Sequence, residues 1–285
     1  MKFLVTGVNG QLGYDIKKEL IDRGYSDVLA PVRDEMDITK KGQVDRVVLD
    51  YKPDVIFHCA AYTAVDKAEE EKEMCYDINV NGTKYLAAAA SLVGAKLIYF
   101  STDYVFDGTK DGIYEVDDRV CPINYYGETK WLGEEEVRKY PNNIIVRISW
   151  VFGINGKNFV RTMLRLAETK KELGVVSDQI GSPTYTEDLS KLVVKMALAN
   201  VVGTYHITNE GYCSWYEFAK YIFEINGMDM QVNPVLTKDY KTVAKRPLNS
   251  KLSKEKLVSD HFRKLPSWQD AVKRYNKVLK KEGNK

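Results

Sequence analysis

Lys2-Phe3-Leu4-Val5-Thr6-Gly7-Val8-Asn9-Gly10-Gln11-Leu12-Gly13 is an apolar run broken by glycines in the pattern Gly-x-x-Gly-x-x-Gly, and its reading decides the fold. The segment before Gly7 has the continuous apolar character of a buried strand. Beyond Gly13, Ile16, Leu20 and Ile21 recur at helical spacing until Gly24 stops the segment. A glycine turn between a strand and a helix permits a tight bend, close backbone approach to a pyrophosphate and close helix–strand packing. The helix N-terminus adds backbone N–H donors and partial positive charge. Gly7, Gly10 and Gly13 are therefore expected to hold a dinucleotide.

Outward from this turn the chain keeps alternating. Asp27 to Val32 reads as a second strand, leading to Arg33 and then Asp37-Ile38. An acid about 20 residues beyond the glycines would hold the ribose of NAD, and an arginine there would accept the extra phosphate of NADP. Both types are present, so NADH and NADPH remain open. Asp37 and Ile38 could flank the adenine; equally, Asp37 could cap a helix over 39–50. Pro53 to Thr63 is a third strand ending in the small residues Ala60-Ala61, and small side chains at a strand's carboxyl end let a cofactor approach. His58 inside that strand reads as a core histidine. Met74 to Val93 reads as one long packed helix. Ala95 to Phe100 is a fourth strand, followed by Ser101-Thr102-Asp103.

Tyr126-Gly127-Glu128-Thr129-Lys130 opens the next helical segment. Spacing of four stacks the phenol and the ammonium on one helix face. A cation beside a phenol favours its ionised form, so Lys130 is expected to lower the Tyr126 pKa and make it a better acid. A structural pair on a helix face has the same spacing. Thr102, at the carboxyl end of the fourth strand, can reach the same pocket and donate to a substrate oxygen or orient the phenol.

A fifth strand runs from Asn143 to Ser149 and continues into Trp150, after which the regular alternation fades. The expected fold is α/β: a doubly wound, Rossmann-type parallel sheet with a smaller C-terminal α/β substrate-binding lobe. Residues 1–150 form the dinucleotide-binding domain, completed by parts of 170–205, and 151–285 form mainly the substrate lobe. Lys245-Arg246-Pro247 is a basic turn suited to a diphosphate, or equally a surface loop.

Composition narrows the function. The chain has 285 residues, enough to bury a core without metals or disulfides, and a hydrophobic share of 44% with 29% charged. A net charge of +2 gives no reason to expect nucleic acid or a membrane surface as partner. The basic tail from Lys277 to Lys285 reads as a solvated helix end. Cys59, Cys75, Cys121 and Cys213 are scattered without ligand spacing, which argues against zinc or a disulfide framework and fits a reducing cytoplasm. The apolar start is too short for a signal peptide, and no run approaches a membrane span.

The set Gly7, Gly10, Gly13, Ala60-Ala61, Thr102 and Tyr126-x-x-x-Lys130, in this order, resembles the extended short-chain dehydrogenase/reductase superfamily. Within it, Gly10-Gln11-Leu12-Gly13, the run Ala61 to Glu69, Ser101-Thr102-Asp103-Tyr104-Val105-Phe106-Asp107-Gly108, Asp178 to Thr184 and Arg246 to Ser250 look like the dTDP-4-dehydrorhamnose reductase family. The resemblance implies reduction of the C4 ketone of a dTDP-sugar by NADPH or NADH. It implies that Tyr126 is the proton donor, that Lys130 holds the nicotinamide ribose, and that Thr102 hydrogen-bonds near the reacting oxygen. Gly10, Gln11, Leu12, Asp37, Ile38, Ala61, Tyr62 and Thr63 would line the cofactor; Thr102, Asp103 and Trp150 would meet the sugar. Tyr62 stands where the family commonly has His. Some members bind Mg2+ between subunits, so a homodimer is one expectation, but no acidic cluster is assignable to that metal. Rival expectations are another sugar-nucleotide reductase or epimerase, or a non-catalytic NADP-binding subunit like that of methionine adenosyltransferase. A 4,6-dehydratase would follow Thr102-Asp103 with Glu; here Tyr104 follows.

Overall fold

A strand buried on both faces carries apolar side chains in both directions, and the first strand does so: Phe3 and Val5 face one core, Leu4 the other. The computed structural model describes residues 1–283. The chain runs through β1 (Phe3–Thr6), α1 (Gln11–Asp22), β2 (Val28–Leu29), α2 (Lys41–Tyr51) and β3 (Val55–His58). Next come α3 (Val65–Ala68), α4 (Lys72–Tyr76), α5 (Thr83–Val93), β4 (Lys96–Thr102), α6 (Tyr125–Arg138) and β5 (Asn143–Ile148). The remainder comprises β6 (Val151–Phe152), α7 (Phe159–Ala167), β7 (Glu172–Val176), β8 (Ile180–Gly181), β9 (Thr184–Tyr185), α8 (Thr186–Leu198), β10 (Gly203–His206), β11 (Cys213–Ser214), α9 (Trp215–Ile225), β12 (Gln231–Val235), α10 (Glu255–Ser259) and α11 (Trp268–Gly283). Residues 284 and 285, the end of the basic tail, lie outside the described residues.

The six-stranded sheet has the order β10-β5-β4-β3-β1-β2 and every pairing in it is parallel. Alternate residues divide its two cores. Phe57, Ile98, Phe100 and Val146 pack with Ile16 and Leu20 of α1 and Leu189 and Val193 of α8. Ile56, Leu97, Tyr99 and Ile145 pack with Val44 and Val48 of α2, Leu86 and Ala90 of α5, and Val137 of α6. Strand order reverses between β1 and β3, so their carboxyl ends open a crevice of the kind in which open α/β sheets bind ligands.

The large unit is not one contiguous segment: β10 closes the sheet beside β5, and α8 packs on α1. The lobe beyond residue 150 holds a third, aromatic core of Phe152, Tyr185, Phe218, Trp268 and Tyr275. Three local features differ from expectation. The second strand pairs only through Val28 and Leu29 instead of from Asp27 to Val32; it is the sheet edge, and Pro31 has no N–H to continue a ladder. The helix expected over Met74 to Val93 is interrupted by a π turn at Asp77–Gly82. β12 was not anticipated, and it pairs in parallel with β7.

Candidate active site

The crevice at the switch point becomes a cleft of about 750 Å³, within the usual range of ligand sites. Its floor is the glycine turn. Gly7 has φ +66°, and a side chain there would meet the Ala60 backbone nitrogen at 2.6 Å. At Gly13 a Cβ would lie 2.3 Å from the Gly7 carbonyl oxygen. Only glycine lets α1 start this close to β1 and lets the turn sit against the end of β3. The result is a cradle of backbone N–H groups and a helix N-terminus, which fits a dinucleotide pyrophosphate. Gln11 carries a further duty. Its Oε1 accepts from Gly153 N at 2.8 Å and from Asn158 Nδ2 at 3.1 Å, tying the turn to the C-terminal lobe.

Arg33, Asp37 and Ile38 lie along one end of the cleft, and Ala60, Ala61 and Thr63 along its side. Asp37 does not cap α2, which begins at Lys41 with Lys40 before it. Its Oδ1 instead accepts from Thr39 N at 2.9 Å and Thr39 Oγ1 at 2.8 Å in a local turn. Arg33 is exposed and reaches Asp37 at 3.5 Å, so both groups stand at the cleft wall.

Two residues expected at the ligands do not line the main cleft. Tyr62 does not line the cleft: its hydroxyl donates to Glu71 Oε2 at 2.6 Å, and its ring packs with Ala68 and Cys75. A half-hidden phenol needs an acceptor, and Glu71 before α4 supplies one. Arg246 lies outside the main cleft and borders a second, adjoining one, which shares Tyr104 and Trp215 with the first. There it is bound by Asp66, with Nη2 to Oδ2 at 2.6 Å and Nη1 to Oδ1 at 3.1 Å.

Thr102, Asp103, Tyr126, Lys130 and Trp150 all line the main cleft. Asn124 caps α6, its Oδ1 accepting from Gly127 N at 2.8 Å, while its Nδ2 donates to the Lys245 carbonyl at 2.8 Å. Gly127 must be glycine, because a Cβ would fall 2.2 Å from the Tyr104 carbonyl oxygen. That contact brings the start of α6 against the segment after β4 and sets Tyr126 in the same cleft as Thr102, whose hydroxyl donates to Asp103 Oδ1 at 3.0 Å. Sequence reading missed Asn124; its signal was an N-cap residue just ahead of the Tyr-x-x-x-Lys helix. Asn79, in the π turn, accepts from Tyr62 N at 2.8 Å and donates to the Tyr62 carbonyl at 3.1 Å and Thr129 Oγ1 at 3.1 Å, locking α6 to the segment after β3.

The electrostatics overturn one expectation. Burial pushes the Tyr126 phenol above its ordinary pKa, with the nearby Thr102 hydroxyl acting the other way. Burial likewise pushes the Lys130 ammonium down to about 7. Lys130 therefore does not make the phenol acidic in this state, since the desolvation that would strengthen the pair penalises both charges. Asp103, buried and bonded through Oδ1 to the Thr102 hydroxyl at 3.0 Å, is pushed up to about 6 by burial. His58 is a satisfied core histidine, bonded to Thr6 and Thr83 at 3.0 Å each and held neutral by burial. Trp150 adopts φ +50°, which a large side chain rarely does, and stacks on Trp215 with ring centroids 3.7 Å apart. Strain of this kind gathers at ligand sites. Among the described residues no group of three or more His, Cys, Asp or Glu is placed to hold a metal, and no helix is long and apolar enough to cross a membrane.

A parallel doubly wound sheet whose dinucleotide cradle faces a Thr, Tyr and Lys constellation defines the class: an NAD(P)H-dependent short-chain dehydrogenase/reductase. The comparisons make this specific. A family model described as the RmlD substrate binding domain matches residues 1–281. The dTDP-4-dehydrorhamnose reductase of Aggregatibacter actinomycetemcomitans is 43% identical, over 95% of this chain and 97% of its own. The spore coat polysaccharide biosynthesis protein SpsK of Bacillus subtilis is 42% identical over 96% of each chain. Among solved structures, the dTDP-4-dehydrorhamnose reductase of Bacillus anthracis in complex with NADP has a TM-score of 0.94 and 44% identity, covering 96% of this chain and 99% of that one. The UDP-glucose 4-epimerase of Thermus thermophilus, at TM-score 0.81 and 18% identity over 95% of this chain and 96% of that one, shares the fold. The chain belongs to the dTDP-4-dehydrorhamnose reductase family.

Proposed function

We propose that this chain reduces the C4 ketone of dTDP-4-dehydro-L-rhamnose to the alcohol, giving dTDP-L-rhamnose. The observation that carries the reading is the convergence of Thr102 from β4 with Tyr126 and Lys130 from α6 on one wall of a dinucleotide cleft. A nicotinamide bound there supplies the hydride. Tyr126 gives its proton to the oxygen as alkoxide character develops, which balances ketone, hydride and proton to alcohol. A phenol kept protonated by burial suits that role. Thr102 orients the phenol and offers its hydroxyl to the same oxygen, and Lys130 provides a cation for the ribose side of the cofactor. Gly7, Gly10 and Gly13 cradle the pyrophosphate. Arg33, exposed at the cleft wall, can turn to a 2′-phosphate, and the B. anthracis relative was solved with NADP, so NADPH is the expected donor. The second cleft, with Phe159, Trp215, Tyr240 and Arg246, offers an aromatic floor and a guanidinium for the base and diphosphate of the sugar nucleotide.

Incubation with the dTDP-keto sugar and NADPH or NADH tests this. The expected result is loss of nicotinamide absorbance matched mole for mole by dTDP-L-rhamnose. Binding of NADPH without turnover of the sugar would overturn the reading in favour of a binding subunit.

A further inference from the structure

Tyr126 and Lys130 are the first two members of a longer row on α6. Continuing at the same spacing of four, the helix presents Glu134 and then Arg138 on that face. Lys130 and Glu134 are buried, at 2% and 0% exposure. A buried carboxylate costs a great deal unless its oxygens are paired, and here they are. Arg147 of β5 donates from Nε to Oε1 at 2.9 Å and from Nη2 to Oε2 at 2.8 Å, a two-pronged grip, and Arg138 Nη2 adds a bond to Oε2 at 2.8 Å. Arg147 is itself fixed: its Nη1 donates to the Val116 carbonyl at 3.0 Å, and its guanidinium lies over the Phe106 ring at 5.0 Å.

The surroundings of Lys130 explain what such a carboxylate can do. Its Nζ sits 4.2 Å from the centroid of Tyr99 of β4, whose hydroxyl donates to the Lys130 carbonyl at 3.1 Å. His58 of β3, Cys59 just beyond it and Cys75 of α4 are the other titratable groups around it, with Tyr126 one turn back. Burial keeps that histidine and both thiols uncharged. Glu134 is the carboxylate of the set. Burial opposes its ionisation, but the Arg147 guanidinium outweighs burial and holds it below the usual carboxylate range. Its negative charge acts on Lys130 against the desolvation that would strip the proton.

We propose that Glu134 is a positioning residue that keeps the buried Lys130 charged for cofactor binding, and that Arg147 holds Glu134 ionised and in place to do so. Arg147 and Glu134 line neither cleft, so they act on the cofactor only through residues that do, and Lys130 is the one a helical turn from Glu134. The inference rests on the proposed cofactor role of Lys130.

NADPH affinity at a series of pH values, followed by quenching of tryptophan fluorescence without any sugar present, tests it in wild type and Glu134→Gln. Lys130 binds the ribose side when protonated, so affinity is full below its pKa and falls as pH rises through it. Removing the Glu134 charge moves that midpoint down by on the order of one pH unit. The ratio of dissociation constants, variant to wild type, is then expected within about 2-fold near pH ~5.5 and about 10-fold near pH ~7.5. Taking the ratio at each pH cancels ionisation of the cofactor's own phosphate. A ratio constant across pH, whether one or larger, would overturn the inference, because a merely structural effect has no such slope. Glu134→Gln leaves Arg147 unpaired and can fail to fold, so the double variant Glu134→Leu/Arg147→Met, which removes both buried charges together, serves as the second test. Because a neutral pair is removed, and Glu134 is the member one turn from Lys130 on α6, the midpoint should again move down but by less than in Glu134→Gln; an unmoved midpoint would overturn the proposal. Wild type that binds no NADPH at any pH would instead refute the cofactor reading itself, and this inference with it.

Discussion

The two ends of the site are built in opposite ways. At the glycine turn, function resides in backbone: neighbouring residues of one short segment make the cradle, and side chains matter by being absent. At the Arg246 end, the proposed sugar-nucleotide cleft is built from side chains of distant segments. Asp66 of α3 holds Arg246 in two bonds, and its Oδ1 also accepts from Ala244 N at 3.0 Å. Asn124 and Asp178 secure the same strap, through Lys245 and Thr237. A contiguous backbone device cannot be retuned without losing it, whereas a side-chain latch can be adjusted one bond at a time. The catalytic wall lies between these extremes, made of side chains whose positions depend on a backbone contact at Gly127.

The sharpest way to separate chemistry from binding is Tyr126→Phe. The phenol oxygen is lost while the ring that meets Tyr104 edge-on at 5.8 Å is kept. Ketone reduction should fall by about 10²- to 10⁴-fold, the range of a general-acid step, with NADPH affinity nearly unchanged. An undiminished single-turnover rate would remove Tyr126 from the mechanism. Next in size is Gly13→Ala. Its Cβ would press on the Gly7 carbonyl, which is backbone and cannot swing aside. Overpacking of this kind costs about 1–3 kcal/mol, so NADPH affinity should drop about 10- to 100-fold. Wild-type affinity in that variant, by fluorescence titration, would show that the turn is not a tight cradle.

The same contrast explains what could be read from sequence. The glycine turn, the alternating cores of β1, β3, β4 and β5, and the Tyr126–Lys130 pair were legible because each is local: a pattern within one segment implies its geometry. The carboxylates that hold Tyr62 and Arg246, Glu71 and Asp66, were not legible, because nothing in a linear sequence reports which acid a side chain reaches in the fold. The expected acidification of Tyr126 by Lys130 went wrong for a related reason. Spacing reveals that two groups share a helix face but not how dry their surroundings are, and here burial raises the phenol and lowers the ammonium. β12 escaped because Asn233 and Pro234 sit inside it, and both residue types are depleted in strands.

The smallest expected effect is at the latch, where Asp66→Asn keeps an acceptor for Ala244 N–H but removes the charge that grips Arg246. The pair is partly exposed, with side-chain accessibility of 21% for Arg246 and 43% for Asp66, so solvent and salt already weaken it. Exposed pairs contribute about 0.2–1 kcal/mol, which caps the loss of stability and gives only a small fall in Tm. With Arg246 less well held beside Tyr104 and Trp215, the KM for the sugar nucleotide should rise a few-fold, roughly 3 to 5. The kcat and the affinity for NADPH should stay as they were. A tenfold fall in kcat at unchanged KM would mean that the strap reaches the catalytic wall through Asn124 and Lys245, and that the two ends of the site do not work as separately as their construction implies.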